Sequence, residues 1–192
     1  MRKYVLMAGV NGAGKSTLYQ SLSGVHDIPR VNTDEIVREF GIWSNPTDVM
    51  KAGKIAIQQI QDFFINKVSF NQETTLCGKS ILRNIKKAKE SGYTVEMHYV
   101  GVESPDIAIE RVHSRVEHGG HGIPDGDVRR RYFESFVQLK GIINQIDLLA
   151  LYDNTVTFHR FAIYRNGEIV KISHNCPDWF YKYIYESDKK EN

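Results

Sequence analysis

Cysteine is scarce: only Cys77 and Cys176 occur among 192 residues. They lie far apart and make no metal-binding or redox spacing, so they are read as reduced thiols of a cytoplasmic protein. An excess of either charge is also lacking, with 25 basic against 23 acidic residues and a formal charge of +2. That balance excludes a chain coated for nucleic acid or for a membrane surface, and any basic site has to be local. No apolar stretch is long enough to cross a bilayer. Arg2 and Lys3 before the run Tyr4–Ala8 look like the start of a signal peptide, but the run is too short and leads straight into Gly9. Internal repeats and low-complexity segments are absent. What remains is a chain with 41% hydrophobic and 25% charged residues, the balance of an ordered globular protein of one domain.

Along that domain, strands and helices alternate. Tyr4–Ala8 is a continuous apolar run, as in a strand buried on both faces. Further strands are expected at 28–32, 70–76, 93–102 and 148–152. The helices between them are expected at 15–22, 34–40, from Pro46 with Met50, Ile57, Ile60 and Phe64 on its inner face, 80–91, 104–118, and from an Asp127 cap to about Gln145. FAIYR and EIVKI flank Asn166–Gly167, the pair favoured in a two-residue hairpin turn, so a hairpin is expected at about 156–172. The polar tail from Asp188 is expected to fray. The pattern is that of an α/β protein: a mostly parallel five-stranded sheet between helical layers, with a late antiparallel addition. Ligands of such sheets sit at the carboxyl ends of the strands. Those ends carry the 9–16 loop, Asp34, Glu73 and the pair Asp153–Asn154.

The loop GVNGAGKST at 9–17 fits G-x-x-x-x-G-K-[ST] and follows a strand. Polyphosphate binding needs many donors close together, and backbone N–H groups supply them only where side chains do not intervene. The run Asn11, Gly12, Ala13, Gly14, Lys15, Ser16 and Thr17 is the expected nucleotide cradle. Lys15 would reach the outer phosphates as a point charge, the Ser16 hydroxyl would ligate Mg2+, and Thr17 would touch the inner phosphates. No N-K-x-D element is present, which favours ATP over a guanine nucleotide. The fold expected is therefore the three-layer P-loop NTPase fold.

Phosphoryl transfer also needs an acceptor, a group to orient or deprotonate it, and cations over the γ-phosphate. Asp34 in VNTDEI stands where it could take the proton of an incoming hydroxyl. The structural alternative is that Asn32 and Glu35 form a capping box and Asp34 answers the helix dipole. Glu73 in FNQETTL, helped by Thr74 and Thr75, could hold the acceptor or the water shell of Mg2+; otherwise it is a surface glutamate. Arg111 and Arg115 share a helix face, and Arg129, Arg130 and Arg131 follow the glycine-rich 119–126 bend. Together they suggest an arginine-bearing lid over about 111–131, with Arg115 and Arg130 as its working members; a solvated basic face is the alternative. His113, His118 and His121 lack a cysteine or acidic partner at zinc spacing, and His121 inside the bend is read as a substrate or phosphate contact. Trp43 and Trp179 are read as packing residues.

GVNGAGKST, VNTDE, ETTLCGKS, GYTVEMHYVGVESPDIAIERV, RVEHGGHGIPDGDVRRRYFESF and LYDNT together resemble, in this order, the zeta toxin family of P-loop kinases, and more closely its short bacterial branch. The RV…GGH…P…RRRY segment is the more specific marker. The resemblance implies use of ATP and Mg2+ and transfer of the γ-phosphate to a small-molecule hydroxyl, in the toxins proper that of a UDP-activated N-acetyl amino sugar. It implies a small antitoxin as a possible partner. Lys15 and Ser16 match the nucleotide loop, Asp34 the catalytic base, Glu73 a substrate-side acid, and Arg115, ahead of Arg111, the first lid arginine. The chain departs from the toxins where they place a second arginine before a Thr-Pro pair: here His121 precedes Ile123–Pro124, and the arginines come later. Two other readings are an ATP-binding regulatory module without phosphotransfer, and a kinase of nucleic-acid ends gripping the backbone through Lys79, Arg83, Lys86, Lys87 and Lys89.

Overall fold

The computed structural model describes residues 1–185, so the tail expected to fray from Asp188 lies outside the described residues. In chain order the elements are β1 (Lys3–Ala8), α1 (Lys15–Ser21), β2 (Arg30–Val31), α2 (Thr33–Phe40), α3 (Pro46–Ile65), β3 (Phe70–Thr74), α4 (Lys79–Glu90), β4 (Thr94–Gly101), α5 (Pro105–Glu117), α6 (Asp125–Ile142), β5 (Leu148–Asp153), β6 (His159–Arg165) and β7 (Glu168–Ile172). A short helical turn, Asp178–Phe180, continues as a wider turn over Tyr181–Tyr185.

The strands form one sheet in the order β2-β3-β1-β4-β5-β6-β7. The first five run parallel, with Tyr4 opposite Phe70 on one side of β1 and opposite Val95 on the other. Strands β6 and β7 are antiparallel. The five-stranded sheet expected from sequence is thus seven-stranded, because the hairpin does not stand apart but hydrogen-bonds along the β5 edge. Asn166 and Gly167 close it with φ of 50° and 85°, the left-handed pair that a two-residue turn between right-twisted strands needs.

The order 2-3-1-4-5 places β1 in the middle, which explains its unbroken apolar run. Tyr4, Leu6 and Ala8 face the larger core, against α3, α4 and α6, while Val5 and Met7 face a smaller cluster with Val25, Tyr19 and Leu22. Two helical expectations are corrected. In α3 the buried stripe is Ala52, Ala56, Ile60 and Phe64, whereas Met50 and Ile57 are exposed. The bulkiest residues suggest one face, but the helix buries the face that carries the alanines, and its main neighbour is α2. Helix α6 begins at Asp125 after Pro124, two residues before the expected Asp127 cap; proline at the boundary fixes φ, and no side chain caps it.

The C-terminal turn closes the core at β4. Trp179 is fully buried among Tyr99, Phe136 and Phe161. Its ring lies so close to Gly101 that a Cβ there would stand 2.5 Å from Cζ2. Its indole N–H donates to Asp153 Oδ1 at 2.8 Å. Trp179 is a packing residue, as expected, and it turns Asp153 away from the strand-end crevice.

Candidate active site

The loop after β1 is shaped by glycines that no other residue can replace. Gly9, with φ 136°, packs where a Cβ would lie 2.3 Å from the Val100 carbonyl oxygen. Gly12, with φ 80°, does the same against the Ala108 carbonyl oxygen at 2.3 Å. Both positions combine left-handed backbone with a backbone wall, so the loop is pinned to β4 and α5. On its third side, Asn154 Nδ2 donates to the Ala13 carbonyl at 2.8 Å. Of the pair ending β5, Asn154 thus supports the loop while Asp153 serves the core. The Ala13 N–H closes the bend onto Val10. Ser16 and Thr17 stand exposed at the start of α1, which no side chain caps.

Lys15 folds back over this loop. Its side chain is 7% exposed, and Nζ donates to the Val10 carbonyl at 3.1 Å and lies 3.8 Å from Glu73 Oε1. Burial draws the ammonium below the usual lysine range, while the Glu73 and Asp34 carboxylates act in the opposite direction and Arg115 adds to the lowering. Lys15, Asp34, Glu73 and Arg115 therefore share one electrostatic neighbourhood.

Glu73 lies on β3, an interior strand, with its side chain 13% exposed. It is a hub rather than a surface residue. Arg30 Nη2 donates to its Oε2 at 2.7 Å, Asn32 Nδ2 at 3.2 Å and the Ser16 hydroxyl at 3.3 Å. Arg30 is itself fixed over the Tyr19 ring, 3.6 Å from its centroid, and by Glu35 at 3.0 Å.

Asp34 occupies the first turn of α2. Asn32 caps that helix by accepting the Asp34 N–H at 2.9 Å, so the capping feature and the acid coexist in one turn. The Asp34 carboxylate stays out of the cap. Its Oδ2 lies 3.5 Å from His121 Nε2. The His121 ring stacks on Trp43, with centroids 4.0 Å apart and planes at 9°. Trp43 is thus a cleft residue as well as a packing one, and its indole N–H is buried without a partner. Arg115 Nη2 reaches the His121 carbonyl at 3.0 Å and Nε2 at 3.4 Å. Gly120 makes that fold possible: a Cβ there would stand 2.5 Å from Arg115 Cγ and 2.9 Å from the Arg115 carbonyl oxygen.

A cleft of about 1020 Å³ opens over these groups. Lys15, Asp34, Glu73, Thr75 and His121 all line it, as do Asn11 and Arg131. Of the three consecutive arginines on α6, Arg131 reaches the loop, donating to Asn11 Oδ1 at 3.0 Å. Arg130 lines the rim, with its side chain 58% exposed and held by Asp127 at 3.1 Å and Glu134 at 2.8 Å. Arg129 pairs with Asp106 outside the cleft. Arg111 donates to the Thr155 carbonyl at 3.1 Å, beside the Asn154 support. His113 and His118 are exposed and bond to Asp125 and to the Ser114 carbonyl. In the basic helix α4, Lys86 pairs with Glu90, Lys87 lies over the Phe64 ring and Lys89 pairs with Asp147. None of the five basic residues considered for nucleic acid lines the cleft among the described residues.

An uncharacterized protein of Haemophilus influenzae is 32% identical over 130 residues, covering 68% of this chain and 92% of that protein. The two belong to one family. No protein-family model matches the chain. Among solved structures, a chain of the AvrRxo1-ORF1:AvrRxo1-ORF2 complex with sulphate ions superposes with a TM-score of 0.72 at 16% identity, covering 96% of this chain and 63% of that one. The same complex with ATP gives 0.68 at 16% identity, with 88% and 60% covered. The PezAT chromosomal toxin-antitoxin system of Streptococcus pneumoniae gives 0.61 at 15% identity, with 82% and 69% covered. The chain shares with these structures an α/β P-loop fold. The chain spans less than two thirds of the AvrRxo1 chains it matches.

Within this fold, sequence reasoning missed Arg30, Asn32 and Asn154 as supports, and Trp43 as the residue stacked on His121. Their signal was positional. Arg30 and Asn32 flank the end of β2, next to the strand that carries Glu73, and Asn154 follows β5 at the same edge. Among the described residues no helix is long and apolar enough to cross a membrane.

Proposed function

We propose that the protein is an ATP-dependent kinase that transfers the γ-phosphoryl group to a hydroxyl of a small molecule. The observation that carries this reading is that Lys15 of the phosphate loop and Asp34 of α2 line one cleft. The loop amides and Lys15 bind the polyphosphate, which takes the ammonium from the Val10 carbonyl. Asp34 orients the acceptor hydroxyl and takes its proton as the new O–P bond forms and the bond to ADP breaks. Arg115, with Arg131 or Arg130 from α6, supplies cationic donors to the moving group, and the 111–131 segment acts as the lid of a single domain.

The oxygen set fits a divalent cation: the Ser16 hydroxyl lies 3.3 Å from a carboxylate oxygen of Glu73, an all-oxygen donor pair of the kind Mg2+ prefers. Ser16 would hold the ion, with Glu73 beside it. Bound there, Mg2+ would supply charge neutralisation on the phosphates.

The acceptor is proposed to be as large as a UDP-activated N-acetyl amino sugar, which a cleft of about 1020 Å³ can take. The matched complexes include a toxin-antitoxin system, and a small antitoxin is the partner proposed for this chain. The test is a labelled-ATP transfer screen against sugar nucleotides, nucleosides and short oligonucleotides. Label appearing on a sugar nucleotide supports this acceptor class. Label on oligonucleotides overturns it, and ATP binding with label on no acceptor and none released as phosphate overturns the kinase itself.

The Gly120 contact gives a second check. Gly120→Ala is expected to lower transfer on the order of 10²-fold by pushing Arg115 off its path, because ångström-scale misplacement costs that much. Steady-state kinetics with ATP, set beside the thermal midpoint, separate this from unfolding. Wild-type rates in a variant of unchanged stability would remove Arg115 from the chemistry.

A further inference from the structure

His121 Nε2 faces two partners that demand opposite things of it. Arg115 Nη2, at 3.4 Å, is a donor and needs a bare nitrogen to receive its hydrogen. Asp34 Oδ2, at 3.5 Å, is an acceptor and needs that nitrogen to carry one. A single ring nitrogen satisfies one at a time. The ring cannot turn away to escape the conflict, because its side chain is only 7% exposed and its face lies flat on Trp43. The second Arg115 bond, to the His121 carbonyl at 3.0 Å, holds the guanidinium near whatever the ring does. Arg115 is also incompletely satisfied where it stands, since its Nε is buried without a partner.

We propose that His121 Nε2 is a one-proton switch between the lid arginine and the catalytic base. Unprotonated, it accepts from Arg115 and ties that side chain to itself, outside the residues that line the cleft. Protonated, it pairs with Asp34 and gives up the Arg115 bond at Nε2, while the bond to the His121 carbonyl keeps the guanidinium beside it. The inference rests on the kinase reading only in giving the proton a source. The acceptor O–H bond breaks as its oxygen bonds to phosphorus. The proton passes to Asp34 and from there to His121 Nε2, leaving a carboxylate–imidazolium pair. The imidazolium then loses the proton to water, and Nε2 accepts from Arg115 again. His121 is thus a positioning residue that acts through Asp34 and Arg115. The charged groups around it are Asp34 and Arg38 from α2 and Arg115 from α5. Burial pushes the imidazole down, Asp34 opposes this, and the two guanidinium groups add to it.

The test is histidine-selective nitrogen NMR on the full chain, with His121 assigned by its loss in His121→Gln. At neutral pH the ring is expected to carry its proton on Nδ1 with Nε2 bare. Arg115→Met should raise the titration midpoint and Asp34→Asn should lower it. A neutral ring protonated on Nε2, or a midpoint that neither variant moves, overturns the switch. These readouts need no acceptor, so they stand or fall apart from the kinase reading. In phosphotransfer, His121→Gln keeps a donor and an acceptor at the same place but cannot carry a proton between partners. It should lose on the order of 10²-fold in kcat with little change in KM for ATP, and flatten the acid limb of the pH profile. Full activity in His121→Gln would leave only a structural role and overturn the relay.

Discussion

Asp34→Asn is expected to lower phosphotransfer by about 10³-fold, within the range for loss of a general base. Nucleotide affinity and stability should barely change. The capping bond in this turn runs from the Asp34 backbone N–H to Asn32, and the substitution leaves it intact. What the carboxylate adds to α2 beyond that is its charge near the helix N-terminus, about 0.3–1 kcal/mol for an exposed position. Asp34 is 30% exposed, so the substitution strands no fully buried charge. If Asp34 served only the helix, the variant would lose a few tenths of a kcal/mol and keep its rate. The two roles thus predict opposite patterns. Transfer kinetics beside ATP titration calorimetry and a melting curve decide between them, and a near-normal rate would withdraw Asp34 as the base.

The parts of this site that were legible in the sequence are those whose chemistry is local. A phosphate loop is one bend and its helix, so nine consecutive residues specify it. Asp34 and Glu73 could be placed because each ends a strand, and parallel strands bring their carboxyl ends together whatever the details of packing. The remainder depends on contacts between residues distant in sequence. Arg131 rather than Arg130 meets Asn11 because the buried face of α6, with Val128, Tyr132, Phe136 and Leu139, fixes the helix's rotation and so which arginine faces the loop. Arg30 reads as a surface cation until β2 lies beside β3 and delivers it to Glu73. Trp43 and His121 lie in separate loops, and only the fold stacks them. The α3 face differs for a related reason: hydrophobic periodicity favours large side chains, but a helix packed closely on a neighbouring helix, as α3 is on α2, can bury small ones.

Lys15→Met is expected to remove transfer activity by about 10²–10³-fold, the cost of losing one preorganised donor to developing charge. The same change should leave the free protein as stable as before, or more so. A buried ammonium is costly even when paired, and here burial is the main influence on it. Its removal strands no partner. The Val10 carbonyl keeps the Ala13 N–H, at 3.1 Å. Glu73 keeps Arg30 at 2.7 Å, Asn32 at 3.2 Å and the Ser16 hydroxyl at 3.3 Å. Methionine fills much the same volume with no charge to desolvate. A gain of about 1 kcal/mol would be in keeping with removing a functional residue held at a cost to the fold. Chemical denaturation of both proteins without nucleotide measures it, and addition of ATP should then reverse the order, because only the wild type gains from binding. A variant destabilised by several kcal/mol would mean that Lys15 holds the loop together rather than waiting for phosphate, and would undercut the nucleotide site as built here.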